Sequence, residues 1–366
     1  MYGIYIHVPF CVRKCPYCDF YSVAVQDELR RNYIAALKNQ ILSFPPIEAD
    51  TIYFGGGTPS LLSPSEISDI LSCISGHHSV EDACEITMEC NPASADLNKM
   101  KGFREAGVNR LSVGCQSFQQ EILDHLGRLH TAEEAADTVR EAREAGFGNI
   151  SVDIMLGVPF SSPESSVKDA EKAASLGVDH VSAYLLKICE GTPFAAGVKG
   201  IPDDDIQADC YTAFCGSIVS SGYSQYEISN FAKPGMESRH NMKYWQCGQW
   251  LGFGPSAHMS DGRKRYSSGR DLRSYLETYS SPVSDPLSFM AFEGSVDAEE
   301  YIMTSLRTSE GLDTGVLEKV FGGSLESSMP FLRKCAEGGL VKISGNRISL
   351  TRDGFLVSNS ILSEII

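Results

Sequence analysis

Nothing limits the folds open to this chain more than its phase: over the first 190 of 366 residues, short β-rich apolar runs alternate with helix-period stretches. Periodicity predicts strands at Gly3–Val8, Thr51–Phe54, Glu85–Glu89, Arg110–Gly114, Ile150–Met155 and His180–Leu186. Helices are predicted at Asp27–Leu42, from Ser63-Pro64 onward, and at Asn98–Ala106, Ala132–Ala145 and Pro163–Leu176. Strand then helix, repeated in this way, gives a parallel sheet with right-handed crossovers. Three helices run through Gly directly into the next strand: EAGVNRLSV, EAGFGNISV and SLGVDHVSA. Gly at that point supplies the left-handed cap that ends a helix. Six units, without two clear further ones, predict an α/β fold built on a partial, TIM-like (β/α)6 barrel rather than an eight-fold one.

Beyond Gly200 the pattern changes. Asp203–Ser221 reads as a helix, and Tyr223–Trp250 is aromatic and polar without clear period. From Asp297 a compact tail begins with a helix at Ala298–Leu306 and further helical stretches through Cys335. It ends in LVKI-SGN-RISL, a strand, turn and strand. The expected organisation is a barrel over 1–225, a connecting region over 226–296, and a small winged-helix-like α+β domain over 297–366. A DNA-reading role fits poorly, because residues 297–366 carry seven Lys/Arg against ten Asp/Glu, a net of −3. The whole chain has 31 Lys/Arg and 47 Asp/Glu, a formal charge of −16, which repels polyphosphate and disfavours nucleic acid as a partner. No apolar run reaches the length of a membrane span, and MYGIYI lacks the form of a secretory signal, so a cytoplasmic protein without a transmembrane segment is expected.

Twelve cysteines are too sparse for a disulfide scaffold. Nine are scattered, mostly among apolar neighbours, and read as small buried hydrophobes. Cys11, Cys15 and Cys18 differ. They sit as C-x3-C-x2-C directly after the first strand, in HVPFCVRKCPYCDF. Positions i, i+4 and i+7 would share one helical face, but Pro9, Pro16 and the Arg13-Lys14 pair argue for a loop. Zinc would need a fourth ligand, for which Cys90 or His7 is available. Three thiolates on one loop suit a [4Fe–4S] cube with one iron left open, and the basic pair offsets its negative charge.

In parallel α/β folds, ligand groups collect where strands end at their carboxyl side. Strand two runs into Gly55-Gly56-Gly57-Thr58-Pro59, which lacks the Lys-Ser/Thr of a phosphate loop but lets backbone approach a ligand closely. Strand three ends in Glu89-Cys90-Asn91-Pro92, strand four in Gly114-Cys115-Gln116-Ser117-Phe118, and strand five carries Asp153. Arg128 follows in Leu126-Gly127-Arg128-Leu129-His130. Each alone reads equally well as a helix cap or a solvent-facing loop residue. Together they offer carboxylates for ribose hydroxyls and an ammonium, an amide for polar edges, and a cation for a carboxylate.

The triplet, with Tyr17 before its last Cys, resembles the signature of the radical S-adenosylmethionine (SAM) superfamily. That resemblance implies a six-stranded partial barrel and a cluster whose open iron is chelated by SAM, which electron transfer then cleaves to a 5′-deoxyadenosyl radical. It also implies SAM contacts at Tyr5, Tyr17, Gly56, Gly57, Thr58, Glu89, Gln116, Arg128 and Asp153, with Cys11, Cys15 and Cys18 on the cluster. The wider order of motifs over 1–160, and LRTSEGL at Leu306–Leu312, is similar to the oxygen-independent coproporphyrinogen III oxidase family. In that family's decarboxylase branch a fourth Cys stands two residues after the third, where this chain has Phe20. That branch also has an N-terminal extension, whereas here the first strand starts at once. The segment Arg239-His240-Asn241-Met242-Lys243-Tyr244-Trp245 instead resembles the H-N-x-x-Y-W of a haem-chaperone branch. This implies a haem-binding chaperone with haem contacts at His240, Asn241, Tyr244 and Trp245. The expected partners are an acceptor haemoprotein and an electron donor such as flavodoxin or ferredoxin. Cys247 and His258 are rival axial ligands, and a packed aromatic turn with a hydrogen-bonded His is the structural alternative. The competing activity is coproporphyrinogen decarboxylation, which the departures above weigh against.

Overall fold

The computed structural model describes residues 1–92 and 94–366. Six parallel strands appear in the predicted order: β1 (Tyr2–Val8), β2 (Glu48–Gly56), β3 (Ser79–Cys90), β4 (Arg110–Gln116), β5 (Asn149–Leu156) and β6 (His180–Leu185). Between them run α1 (Asp27–Ser43), α2 (Pro64–His77), α3 (Leu97–Ala106), α4 (Ala132–Glu144) and α5 (Pro163–Ser175), and α6 (Asp204–Ser220) follows. The helix starts are written in side-chain chemistry. Ser63 Oγ accepts from the Glu66 amide at 3.2 Å while the Glu66 carboxylate accepts from the Ser63 amide at 2.7 Å, a capping box with Pro64 in the first turn. Thr131 with Glu134 and Ser162 with Ser165 repeat it at α4 and α5. At the end of α3, Gly107 sits at φ 114°, a left-handed cap that an L side chain would strain.

Strands β1 to β6 pair with their sequence neighbours, all parallel. Every residue of β4 is buried, as expected of a central parallel strand covered on both faces. Ile4, Ile6 and Val8 of β1 and Phe54 of β2 join α1 and α2 in one continuous core.

Residues 226–296 add what periodicity left unassigned. Within them, β7 (Gln249–Phe253) pairs parallel with β1, setting Gly3 opposite Trp250 and Tyr5 opposite Gly252. Three antiparallel strands extend that edge: β8 (His258–Asp261), β9 (Lys264–Ser268) and β10 (Met290–Ser295). On the far edge, Asn230–Ala232 runs antiparallel to β6, and Ser224–Gln225 runs antiparallel to Asn230–Ala232. The sheet therefore has twelve strands in linear order, and among the described residues its two ends do not pair with each other.

The C-terminal residues form a second core around Leu306, Leu317, Leu332, Val341, Ile348 and Phe355. Helices at Ala298–Ser305, Thr314–Phe321 and Met329–Glu337 lead into a hairpin of Val341–Ser344 and Arg347–Leu350. The Ile228 amide bonds the Arg307 carbonyl at 2.9 Å, tying this unit to the barrel. Among the described residues no helix is long and apolar enough to cross a membrane.

Candidate functional site

The loop after β1 is closed on itself before it presents any thiol. Phe10–Cys11 pairs with Val23–Ala24, and the Cys18 amide bonds the Cys15 carbonyl at 3.1 Å. The glycine run after β2 straps its base: the Gly57 and Thr58 amides donate to the Val8 and Phe10 carbonyls, each at 2.8 Å. A Cβ at Gly57 would stand 2.6 Å from the Phe10 oxygen, so only Gly fits.

Cys11, Cys15 and Cys18 line one cavity at the carboxyl ends of the strands. Tyr17, Gly56, Gly57, Thr58, Glu89, Gln116, Arg128 and Asp153 line the same cavity, so the structure brings together every residue expected there except Tyr5. Among the described residues, no three His, Cys, Asp or Glu side chains gather as they would around a single metal ion. A cube takes one thiolate per iron, and the donor set fits it: three free thiols of one loop line the cavity, with a guanidinium beside Cys15. Of the two possible fourth zinc ligands, Cys90 borders the same cavity with its Sγ 3.9 Å from Ser94 Oγ, whereas His7 is engaged with Tyr5 Oη at 3.2 Å and the Tyr21 carbonyl at 2.9 Å.

Arg128 holds the site together. Its Nη1 donates to Cys15 Sγ and Tyr17 Oη, both at 3.3 Å, and its Nη2 to Asn91 Oδ1 at 3.0 Å and the Gly114 carbonyl at 2.8 Å. Asn91 in turn donates to Thr58 Oγ1 at 2.9 Å, and that hydroxyl lies 3.6 Å from Cys11 Sγ. The cation expected to face a ligand carboxylate is thus already engaged with the cysteine loop.

Two carboxylates face the same space. Glu89 accepts from Tyr53 Oη at 3.0 Å and the Gly56 amide at 3.2 Å, and Asp153 accepts from Ser112 Oγ at 3.0 Å. Withdrawal from solvent, and then the charge of Asp153, push the Glu89 carboxyl up to about 7. Burial raises Asp153 as well. Paired acids at this depth favour a cationic ligand, whose charge would relieve both. Gln116 adopts φ 68°, and Tyr184 donates to its Oε1 at 3.3 Å. Tyr184, Asn91 and Ser112 line the cavity without having been singled out as site residues. Asn91 carried a signal, two residues beyond Glu89 at the same strand end. Tyr184 looked like one more aromatic in an apolar strand.

Tyr5 lies in a neighbouring cleft of about 670 Å³, with Tyr244, Trp250 and His258, and Phe20 borders both spaces. The H-N-x-x-Y-W residues do not gather there. They lie on α7 (Arg239–Trp245), capped by Ser238, whose Oγ accepts from the Asn241 amide at 3.3 Å. His240 is fully buried, with Nδ1 2.9 Å from Thr51 Oγ1 and Nε2 2.7 Å from Tyr244 Oη. Burial, then the Lys243 ammonium, push its pKa down to about 3, so the ring is neutral. Both nitrogens are spoken for, the hydrogen-bonded core histidine the sequence offered as its alternative. Trp245 lines a separate groove with Tyr211, Arg307 and Phe355. Cys247 is buried against Thr304 Oγ1 at 3.4 Å, whereas the side chain of His258 is 59% exposed.

Known proteins match this arrangement along its length. The family model of the radical SAM superfamily matches residues 5–173, and that of the HemN C-terminal domain matches residues 295–357. The chain is 33% identical over 374 residues to the heme chaperone HemW of Bacillus subtilis, covering 99% of this chain and 98% of that one. It is 34% identical over 358 residues to the heme chaperone HemW of Escherichia coli, covering 92% of each. Its fold is that of the solved coproporphyrinogen III oxidase HemN from Escherichia coli, with a TM-score of 0.82 at 22% identity over 99% of this chain and 89% of that one. Similarity at these levels, running nearly end to end, places the chain in the HemW family of the radical SAM superfamily.

Proposed function

We propose that this protein is a haem chaperone that binds haem and passes it to acceptor haemoproteins, with a [4Fe–4S] cluster and SAM at the strand-end cavity. The observation that carries the reading is the near full-length similarity to proteins named heme chaperone HemW. Phe20 at the position of the decarboxylase branch's fourth cysteine supports it.

On this reading Cys11, Cys15 and Cys18 hold the cluster, which supplies an open iron corner and one-electron chemistry when bound. Arg128 offsets negative charge beside Cys15. Gly56, Gly57 and Thr58 present backbone to the SAM amino group, Glu89 and Asp153 take its cationic and hydroxyl groups, and Gln116 takes a polar edge. Tyr17 closes the wall beside Arg128. Of the expected haem contacts, Tyr244 faces a cleft large enough for a flat ligand. An acceptor haemoprotein and a flavodoxin- or ferredoxin-like electron donor complete the scheme, in the cytoplasm.

Anaerobically reconstituted protein, given SAM and reductant, is expected to bind haem on titration and to yield no protoporphyrinogen from coproporphyrinogen. Product formation overturns the chaperone reading in favour of the decarboxylase.

A further inference from the structure

Haem asks four things of a protein: a flat apolar slot, cations for two propionates, one axial donor, and exclusion of competing polar contacts. The cleft beside the cluster cavity offers the first three: an aromatic lining, two guanidinium groups and an imidazole. Its volume is about 670 Å³, and Tyr5, Tyr244 and Trp250 form its aromatic lining. Tyr244 and Trp250 meet edge to face at 4.7 Å between centroids, which fixes that wall.

His258 stands at the rim on β8. Its backbone is pinned: the Trp250 indole donates to the His258 carbonyl at 3.0 Å, and that oxygen leaves no room for a Cβ on Gly252, which would stand 2.0 Å away. Its ring is free by comparison. Glu293 Oε2 lies 3.6 Å from Nδ1, ion-pair range rather than a hydrogen bond, and among the described residues Nε2 has no partner. A carboxylate on the Nδ1 side is the arrangement that orients a ligating imidazole and leaves Nε2 to the metal. Ser267 holds Glu293 in place by donating to its Oε1.

Two guanidinium groups line the same cleft. Arg265 is paired with Glu300 and lies over the Trp250 ring at 5.7 Å. Arg270 donates to the Asp19 carbonyl at 2.7 Å and, among the described residues, has no carboxylate partner. Ser268, also lining the cleft, is 92% buried, and its Oγ lacks a hydrogen-bond partner among the described residues, an orphan that a ligand would relieve. His240, by contrast, offers no free nitrogen.

We infer that haem occupies the cleft between β1, β7 and β9, with His258 Nε2 as its axial ligand and Arg270 facing a propionate. The inference rests on the chaperone reading, since it assigns the site for that cargo. It also places the porphyrin beside the cluster cavity, with Phe20 between them.

Haem titration of reconstituted full-length protein, read by Soret absorbance, electron paramagnetic resonance and resonance Raman, separates the possibilities. The unsubstituted chain is expected to show histidine ligation. His258→Ala should lose that signature and bind at least about tenfold more weakly, and His258→Cys should convert it to a thiolate signature. Arg270→Glu should weaken haem roughly tenfold but leave haem dimethyl ester, which lacks the propionate charges, unaffected. Retained histidine ligation and affinity in His258→Ala overturns the axial assignment. Equal weakening of haem and its ester by Arg270→Glu overturns the propionate contact. No haem binding by the unsubstituted chain instead sinks the chaperone reading itself.

Discussion

Arg128 Nη1 lies 3.3 Å from Cys15 Sγ across 113 residues of chain, and the same guanidinium reaches Tyr17, Asn91 and the Gly114 carbonyl. The end of β4 is thereby fastened to the cysteine loop. Arg128→Ala removes four donated bonds at once and leaves Asn91 Oδ1 and the Gly114 carbonyl short of a donor. We expect a loss of about 1–3 kcal/mol in stability and iron occupancy well below that of the unsubstituted chain after identical anaerobic reconstitution. Arg128→Lys should recover part of the stability but little of the occupancy, because an ammonium cannot serve four acceptors in one plane. Full iron loading in Arg128→Ala would show that the guanidinium is dispensable to the loop.

The cysteines themselves give the sharper result. Cys15→Ala is expected to abolish the brown visible absorbance of the reconstituted protein and to leave its circular dichroism unchanged, because Cys15 is only half-buried on a loop. A variant that keeps full iron would contradict the ligand assignment.

Gly57 tests the strap beneath that loop. Its Cβ would approach the Phe10 and Val8 carbonyl oxygens to 2.6 and 2.8 Å, both backbone atoms that cannot swing aside. Gly57→Ala should cost about 3 kcal/mol or more, read as a fall in Tm, together with impaired cluster assembly. Gly76→Ala, where an added Cβ meets nothing within 4 Å, is the matched control and should be neutral or slightly stabilising.

How much of this could be read from residue order divides along contact range. The six strand–helix units, the left-handed glycines that end three of the helices and the cysteine spacing are local patterns, and they were legible. The seventh parallel strand was not, because QWLGF is five residues long and finds its partner, Gly3–Ile6, some 250 positions earlier. The fate of His240 was equally hidden. Thr51, 189 residues away, satisfies one ring nitrogen, and no local motif announces that. Strand-end residues such as Glu89 and Asp153 were legible because parallel topology sends consecutive strand ends to one place. Arg128 was legible as a site residue and illegible in role, since its position said nothing about which acceptors it would find.

Glu89 makes the site's pH dependence predictable in sign. Its carboxyl is raised from an ordinary value near 4.5 to about 7 in the folded chain. Below 4.5 it is protonated folded or unfolded and contributes nothing. Between 4.5 and 7 the unfolded chain releases its proton first, so stability falls as pH rises, by about 3 kcal/mol in all. Glu89→Gln should flatten that part of the stability curve, measured as the difference in Tm between the two proteins from pH 4.5 to 7.5. Glu227, which also titrates there and does not act on Glu89, is common to both proteins and cancels in the difference, whereas Asp153, whose charge acts on Glu89, shifts with the substitution and is part of what is measured. A difference that stays constant across the window would mean Glu89 is not held up by its surroundings. A bound sulfonium nucleoside should shrink it, by favouring the ionised carboxylate.

His240 should behave as a positioning residue. Removing its ring orphans the buried Thr51 hydroxyl and frees the hydroxyl of Tyr244, a residue that lines the cleft. It also opens a cavity against Tyr53, whose ring centroid is 5.2 Å from the imidazole. His240→Ala is therefore expected to lower stability by about 2–4 kcal/mol in denaturant unfolding. Haem affinity should fall as well, because Tyr244 loses the bond that fixes its ring. The distinguishing readout is ligation rather than affinity. A residue acting through Tyr244 leaves the histidine signature of bound haem in place, whereas an axial ligand takes it away. Loss of that signature in His240→Ala, with folding intact by circular dichroism and with His258→Ala unaffected, would require α7 to open and present His240 to the iron, and would assign the haem to that helix instead.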